Sequence, residues 1–275
     1  KPYSVGMRFK DFLVSMPDTL AAKNMREIVD AVNYACHNKK PVIFGMGGHV
    51  IKAGLSPVII DLMKRGIITA IAANGSFAIH DFEMAWMGKT SEDVQLELEK
   101  GTFGMGDETG KIINEAIKEG IKEGLGFGEA VGKKINDLNP PFISNSVVAA
   151  AYKLNIPVTI HVAVGTDIVH MHPSADGGAI GESSFRDFKI FTSVVSKLGS
   201  GGIYFNIGSA VMMPEVFLKA LSLSRNLGYD TRDFVTVNLD FIQHYRPVQN
   251  VVNRPTAGGG KGYAITGHHE IIIPL

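Results

Sequence analysis

Apolar runs of strand length alternate along the chain with segments in which apolar residues recur at helical spacing. Five such runs end in glycine or small polar residues: "PVIFGMGG", "GIITAIAANGS", "IPVTIHVAVGTD", "GGIYFNIGSA" and "DFVTVNLD". Runs of Val, Ile and Phe without polar alternation are typical of strands that are covered on both faces. The pattern therefore predicts an α/β fold in which a parallel sheet is flanked by helices on both sides.

The segment from about residue 81 to residue 138 differs from the rest because it is polar and rich in glycine. It predicts helices inserted between two strands, with loops at the glycines. The sequence shows no internal repeat of solenoid length and no linker rich in Pro or Ser. We therefore expect residues 1–275 to form one domain with a helical insertion at about 81–138.

Composition and charge exclude several classes of protein. The 275 residues are 45% hydrophobic and 20% charged, which is enough to bury a large core. Lys and Arg together number 27, and Asp and Glu together also number 27. The formal charges cancel, so no overall electrostatic field attracts nucleic acid or an anionic membrane. Cys36 is the single cysteine, which excludes an intramolecular disulfide and favours a reducing compartment.

Targeting segments are not evident in the sequence. No apolar run approaches the roughly 20 residues that span a bilayer. The first ten residues, "KPYSVGMRFK", lack the apolar core of a secretory signal. We expect a soluble, cytoplasmic protein without a nucleic-acid or membrane partner.

Glycine and small residues follow the first two apolar runs, as "GMGGHVIKAG" and "AANGS". In open parallel sheets, ligands bind at the carboxyl ends of strands, where glycine admits the ligand and helix N-termini offer N–H groups to phosphate. The first cluster lacks the third glycine of the dinucleotide fingerprint, and no acid lies at the tip of the next strand, so a tight turn without a ligand remains the alternative. Two such ends together favour a nucleotide cofactor, with these candidates: Gly45, Gly47, Gly48, His49, Asn74, Gly75 and Ser76.

The segment "VGTDIVHMHPSADGGAIGESSF" is the most polar one that follows a strand. If the strand continues into it, His170 and His172 point to one face, as two metal ligands would. A third ligand at a diagnostic spacing is missing, so we predict no bound metal and treat both histidines as substrate-binding candidates. Asp176 and Glu182 are candidates for holding ribose hydroxyls or an ammonium group.

Lys261 lies among glycines in "NRPTAGGGKGYAITGHHE". Such surroundings let a substrate approach the amine, and a lysine whose pKa is lowered by burial forms imines. Nearby Arg254 adds positive charge and is a further substrate-binding candidate. A solvated surface lysine in a glycine loop is the alternative interpretation.

The order of these motifs, from about Lys40 to Leu275, resembles the deoxyhypusine synthase family. The family's "ISSG", "TTAGG", "TDGSLGD", "GGG" and "GARP" segments are similar in turn to "FGMGGHVIKAG", "IAANGS", "ADGGAIGE", "NIGSA" and "VNRP". The family's terminal strand ends in "FPLL", to which "IIIPL" corresponds here.

The resemblance implies a Rossmann-like, NAD-binding fold, NAD as the cofactor and a homotetramer. It adds Gly208 and Ser209 of "NIGSA" to the cofactor-binding candidates. Asn238, in the fifth apolar run, is the last of these candidates. In the family, an imine derived from spermidine passes its aminobutyl group to an active-site lysine. By its position after "RP", Lys261 is the counterpart of that catalytic lysine.

The chain departs from the family where the family binds its polyamine. Phe77 and Ala78 replace consecutive acids that bind spermidine in the family. Met212, Met213 and Pro214 replace the family's "VKHH" histidine, which serves as a base. Since a buried ammonium needs paired carboxylates, we expect a substrate less cationic than spermidine.

We therefore predict an NAD-dependent transferase or oxidoreductase. It would perform aminoalkyl transfer or amine oxidation on a small amine or carbonyl substrate, through an imine on Lys261. Two alternatives remain: a non-catalytic NAD- or nucleotide-binding protein, and a metal-dependent hydrolase that uses His170, His172 and Asp176.

Overall fold

A computed structural model describes residues 5–90 and 92–275 of the chain. Six strands form one sheet in the order β3-β2-β1-β4-β5-β6, and every neighbouring pair is parallel. The predicted domain of residues 1–275 includes positions 1–4 and 91, which lie outside the described residues. The strands are β1 Val42–Met46, β2 Ala70–Asn74, β3 Val158–His161, β4 Ile203–Ile207, β5 Val235–Asp240 and β6 Lys261–Thr266.

Helices connect the strands and cover both faces of the sheet. They are α1 Phe9–Ser15, α2 Leu20–His37, α3 His49–Lys52, α4 Ser56–Lys64, α5 Gly75–Met87, α6 Val94–Lys100, α7 Asp107–Glu123, α8 Phe127–Leu138, α9 Val147–Lys153, α10 Gly177–Val195, α11 Met212–Asn226, α12 Tyr245–Pro247 and α13 His269–Ile272. Short 3₁₀ turns at Ile143–Asn145 and Ile168–Met171 and a π-helical segment at Val248–Asn253 complete the regular structure. Among the described helices, none is both long and apolar enough to cross a bilayer.

The sheet carries a separate hydrophobic cluster on each face. Successive residues of a strand point to opposite faces of the sheet. Phe44 of β1 therefore packs in the cluster that includes residues of α3–α5 and α7–α9, whereas Ile43 packs in the cluster that includes residues of α10 and α11. All five residues of β1 and of β4 are buried, as expected for central strands covered on both sides. The predicted α/β fold with a helix-flanked parallel sheet is confirmed.

The helices between β2 and β3 run from α5 to α9, a stretch that includes residues 81–138. The expected start near residue 81 falls inside α5, which begins at Gly75 directly after β2. Asn74 caps this helix, since its Oδ1 accepts a hydrogen bond from the Phe77 amide at 3.2 Å. The helix ends at Gly88, whose φ of 71° suits glycine.

The last strand lies earlier than the sequence comparison implied. "IIIPL" was expected to end a terminal strand, but the strand is Lys261–Thr266, and His269–Ile272 forms α13. In β6 only Tyr263 and Ile265 are buried, and their neighbours are more exposed. An edge strand with this alternation contains no continuous apolar run, which is why the search for such runs missed it.

Two buried carboxylates fasten the inserted helices to the core. Asp81 of α5 accepts hydrogen bonds at the start of α9, from the Ser146 hydroxyl at 2.5 Å and from the amides of Val147 at 2.7 Å and Val148 at 3.1 Å. Asp187 of α10 likewise accepts hydrogen bonds from amides of α8 and β3. Burial raises the pKa of Asp81 to about 6 and that of Asp187 to about 7.

Candidate functional site

The strand order reverses between β1 and β4, at the centre of the sheet. In sheets of this order, the ligand crevice lies outside the carboxyl ends of the strands at this switch point. β1 continues there into Gly47 and Gly48, and β4 continues into Gly208 and Ser209. The sequence-predicted small residues of these two motifs therefore meet at one crevice.

The floor of this crevice is backbone, because the two chain segments approach closely. The Gly47 amide donates to the Ile207 carbonyl at 3.0 Å, and a Cβ on Gly47 would lie 2.3 Å from the Gly208 carbonyl oxygen. Gly208 has a φ of 62°, and a Cβ there would lie 2.7 Å from a ring atom of His269. Both positions therefore require glycine.

The end of β2 adjoins the end of β1. A Cβ on Gly48 would lie 2.7 Å from the Ser76 hydroxyl oxygen. That hydroxyl donates to Asn74 Oδ1 at 3.0 Å. These contacts bring the two predicted glycine-rich ends together. They also set the N-terminus of the 13-residue helix α5 at the same edge of the sheet.

An acid of the polar segment after β3, outside the list of predicted site residues, lies at the tip of β2. Asp167 comes from the segment after β3, and its Oδ2 would lie 2.0 Å from a Cβ on Gly75. Asp167 is 92% buried, and within the described residues its Oδ2 has no hydrogen-bond partner. Burial raises the pKa of this carboxyl, whereas His170 and His80 act in the opposite direction. This unsatisfied acceptor fits a ligand hydroxyl group.

A cavity of about 280 Å³ opens beside Asp167. Apart from Asp167 and Thr166, its walls are largely apolar and come from the segment around α6 and from the 3₁₀ turn after β3. They are Leu98, Gly101, Phe103, Met105, Gly165, Ile168 and Met171. The cavity thus offers an apolar surface next to a buried carboxylate.

The two predicted histidines after β3 do not share a face. The segment forms a 3₁₀ turn rather than a strand, so the strand alternation on which a shared face depended does not apply. His170 Nδ1 accepts from the Gly165 amide at 3.1 Å, whereas His172 Nε2 lies 3.0 Å from Asp107 Oδ1. Among the described residues, no group of three or more His, Cys, Asp or Glu side chains is arranged to hold a metal ion.

A pair of histidines lies at the β4–β6 side of the crevice. His49 Nδ1 is 2.9 Å from His269 Nδ1, and His269 Nε2 is 3.1 Å from the Leu239 carbonyl oxygen. His269 is fully buried and His49 is exposed. Partial desolvation, followed by repulsion from His269, lowers the pKa of His49. The sequence predicted His49 as a cofactor ligand and missed His269, whose only signal was its place in "GHHE".

Two predicted cofactor residues have evident packing roles. Gly45 lies inside β1, where a Cβ would be 2.2 Å from the Tyr204 hydroxyl oxygen. Asn238 is buried in β5, accepts from Asn206 at 2.7 Å and donates to Gln243 at 2.7 Å. Packing accounts for both residues, and their cofactor roles stay predictions.

The remaining predicted polar residues of this edge make local contacts. Asp176 caps α10, because its Oδ1 accepts from the Ala179 amide at 3.0 Å. Glu182 pairs with Arg186 at 2.9 Å on the surface of the same helix. Ser209 accepts at its hydroxyl from the Met213 amide at 3.1 Å. No contact here tests the predicted ligand roles of these residues.

Lys261 lies at the opposite edge of the sheet from the crevice. It is the first residue of β6, five residues and about 17 Å from the carboxyl end of that strand. Its side chain is 68% exposed, and its ammonium lies 3.6 Å from Glu27. Predicted substrate-binding Arg254 donates to Asn250 at 2.6 Å. Within the chain, Lys261 is therefore separated from the glycine-rich ends.

Comparison with known proteins confirms the resemblance seen in the sequence. The chain is 25% identical over 233 residues to a deoxyhypusine synthase-like protein of Chlorobaculum parvum. The match covers 76% of this chain and 65% of the relative, so the chain spans just under two thirds of that protein's length. No protein-family model matches the chain.

Solved structures share the fold at low sequence identity. A candidate deoxyhypusine synthase from Entamoeba histolytica has a TM-score of 0.55 and 16% identity, and the match covers 100% of this chain and 94% of that one. AgrE, solved in a ternary complex with ornithine and NAD⁺, has a TM-score of 0.55 and 14% identity, with 92% of this chain and 32% of that chain covered. The shared architecture is the helix-flanked parallel sheet.

Proposed function

We propose that this chain, which is similar to deoxyhypusine synthase-like proteins, is an NAD-dependent enzyme that acts on a small amine or carbonyl substrate. The observation that carries the proposal is the crevice at the switch point, where Gly47, Gly48 and Gly208 leave a floor of backbone. The similar fold of AgrE, which binds NAD⁺, supports the same assignment.

The residues of the crevice fit a dinucleotide. In sheets of this order, each half holds one mononucleotide and the pyrophosphate crosses the switch point. The pyrophosphate would lie over Gly47 and Gly208, where the two backbone segments approach closely. Asp167 has an unsatisfied, buried oxygen that would accept a ribose hydroxyl, and the adjoining apolar cavity would take the adenine. NAD⁺ would supply a hydride acceptor when bound.

The substrate we propose is less cationic than spermidine. Phe77 and Ala78, which replace acids that grip the polyamine in the family, are fully buried in α5. The next acid, Asp81, already accepts three hydrogen bonds at the start of α9. Both observations support the loss of the polyamine-binding acids at this point of the chain.

Two further parts of the proposal concern Lys261 and assembly. An imine on Lys261 would form at the amino edge of β6, so a site shared with the crevice requires another copy of the chain. The homotetramer expected from the resemblance would meet this requirement. A protein that binds NAD⁺ without catalysis is the alternative if Lys261 remains a solvated partner of Glu27.

Calorimetric titration with NAD⁺ tests the proposed function. We expect saturable binding with one site per chain in protein freed of carried-over cofactor. Lys261→Arg should leave that affinity nearly unchanged, because arginine keeps the charge and approximate size, but should abolish any borohydride-trapped adduct with small amines or carbonyls. Absence of binding heat and of any thermal shift would contradict NAD dependence. Trapping that persists in Lys261→Arg would refute the imine role.

A further inference from the structure

We propose that His49, oriented by His269, is the proton acceptor for the reaction at the β4–β6 half of the crevice. The proposal rests on the proposed function, since it takes the reacting end of the cofactor to lie in this half. It adds a catalytic role for His49 and a positioning role for His269. Both follow from the contacts of the pair.

The hydrogen bonds of the pair determine which nitrogen is available. The Leu239 carbonyl only accepts, so His269 Nε2 carries a proton and donates to it at 3.1 Å. In neutral His269, Nδ1 therefore carries the lone pair and accepts from the Nδ1–H of His49 at 2.9 Å. His49 Nε2 is left unprotonated in the neutral ring, with a lone pair that can take up a proton.

The pair is held at the switch point by three strand ends. His49 follows the end of β1, the carbonyl that orients His269 belongs to β5, and His269 follows β6. The ring of His269 also packs against Gly208 after β4, where a Cβ would be 2.7 Å away. Since His269 is fully buried and His49 is exposed, the exposed base has a fixed partner behind it.

Charged groups around the pair come from α3, from α13 and from the end of β5. Lys52 of α3 and His269 of α13 lower the pKa of His49, and desolvation contributes most. Glu270 of α13 and Asp240 at the end of β5 act in the opposite direction. Asp240 also lies 3.9 Å from His269 Nε2, where it would stabilise a positive charge on the pair.

The proposed step balances when a small amine is oxidised. The carbon-bound hydrogen would leave with its electron pair to bound NAD⁺, and a C=N bond would form. The N–H proton would move to His49 Nε2. The Nδ1 proton of His49 can then move to His269 Nδ1, so that the charge resides on the buried ring beside Asp240.

Carbethoxylation by diethyl pyrocarbonate, mapped by mass spectrometry, tests the proposal without a substrate. The reagent modifies unprotonated imidazole nitrogens, and exposed His37 is the internal control. Because desolvation and the neighbouring His269 lower the pKa of His49, more of that ring is neutral at pH 5.5, and His49 should react up to about tenfold faster than His37. Saturating NAD⁺ should slow modification of His49 at least about fivefold and leave His37 unchanged.

Two variants distinguish the orienting role of His269 from a general disturbance of the structure. His269→Gln removes the ring behind His49. The rate at which the reagent modifies His49 at pH 5.5 should then fall towards the rate at which it modifies His37. The neighbouring change His268→Gln, at a largely exposed residue, should have no such effect. If His49 reacts no faster than His37 in the wild type, the proposal is refuted.

NAD⁺ distinguishes failure of this proposal from failure of the proposed function. Calorimetric binding of NAD⁺ without protection of His49 would overturn only the role of His49. No binding of NAD⁺ would overturn both. Protection of His49 by NAD⁺, together with its faster modification at pH 5.5, supports His49 as the proton acceptor.

Discussion

Replacing Asp81 with alanine is expected to lower the free energy of unfolding by about 3 to 5 kcal/mol. The carboxylate is fully buried and accepts from one hydroxyl and two amides at the start of α9. Without it, these buried donors lose their partner, and each costs about 1 to 3 kcal/mol. Urea unfolding followed by circular dichroism measures the loss.

The matched control for this change is Asp61→Ala on the surface of α4. Asp61 is half exposed and forms a surface ion pair with Arg65, so its loss should cost less than about 1 kcal/mol. If Asp81→Ala lowers the free energy of unfolding no more than the control does, Asp81 does not hold the start of α9 to α5 as described.

The pH dependence of Asp81 adds an independent check. Its folded pKa of about 6 lies above the value of about 3.9 in an unfolded chain, so the native state binds more protons between these values. The stability of the wild type relative to Asp81→Asn should therefore rise as pH falls from 7 to 5. An unchanged difference would contradict the raised pKa.

Gly47→Ala is expected to weaken NAD⁺ binding about 10- to 100-fold. The new Cβ would lie 2.3 Å from the Gly208 carbonyl oxygen, so the ends of β1 and β4 must move apart. Overpacking of this kind costs about 1 to 3 kcal/mol, and each 1.4 kcal/mol is a factor of ten in affinity. Calorimetric titration of the variant with NAD⁺ measures the loss.

Gly181→Ala is the control for this variant. Gly181 lies in α10, and an added Cβ there would meet no atom within 4 Å, so NAD⁺ affinity should remain at the wild-type value. Thermal unfolding of both variants would detect any loss of folded protein. If folded Gly47→Ala binds NAD⁺ as tightly as the control does, the crevice at the switch point is not the cofactor site.

The fold was predictable where one local pattern dominates. The first five strands are continuous apolar runs that end in small residues, and each is found in the sheet. β6 alternates between buried and exposed positions, so a search for continuous apolar runs does not detect it. With that strand located, Lys261 is recognisable as an amino-edge residue. Its glycine-rich sequence alone does not reveal which edge of the sheet it occupies.

The candidate site was predictable only in its backbone part. Glycine is a local signal for close approach, and Gly47, Gly48 and Gly208 do meet other chain segments closely. Asp167 and His269 reach the site through the topology of the sheet. His49 and His269, for example, are separated by 220 positions in the chain. No spacing rule identifies contacts of that kind from one sequence.

A crystal structure of the chain with NAD⁺ tests the central claim most directly. We predict the pyrophosphate over Gly47 and Gly208, a ribose hydroxyl on Asp167 and the nicotinamide on the side of His49. NAD⁺ bound at the amino edge of the sheet, or at any place away from the ends of β1 and β4, would contradict the account.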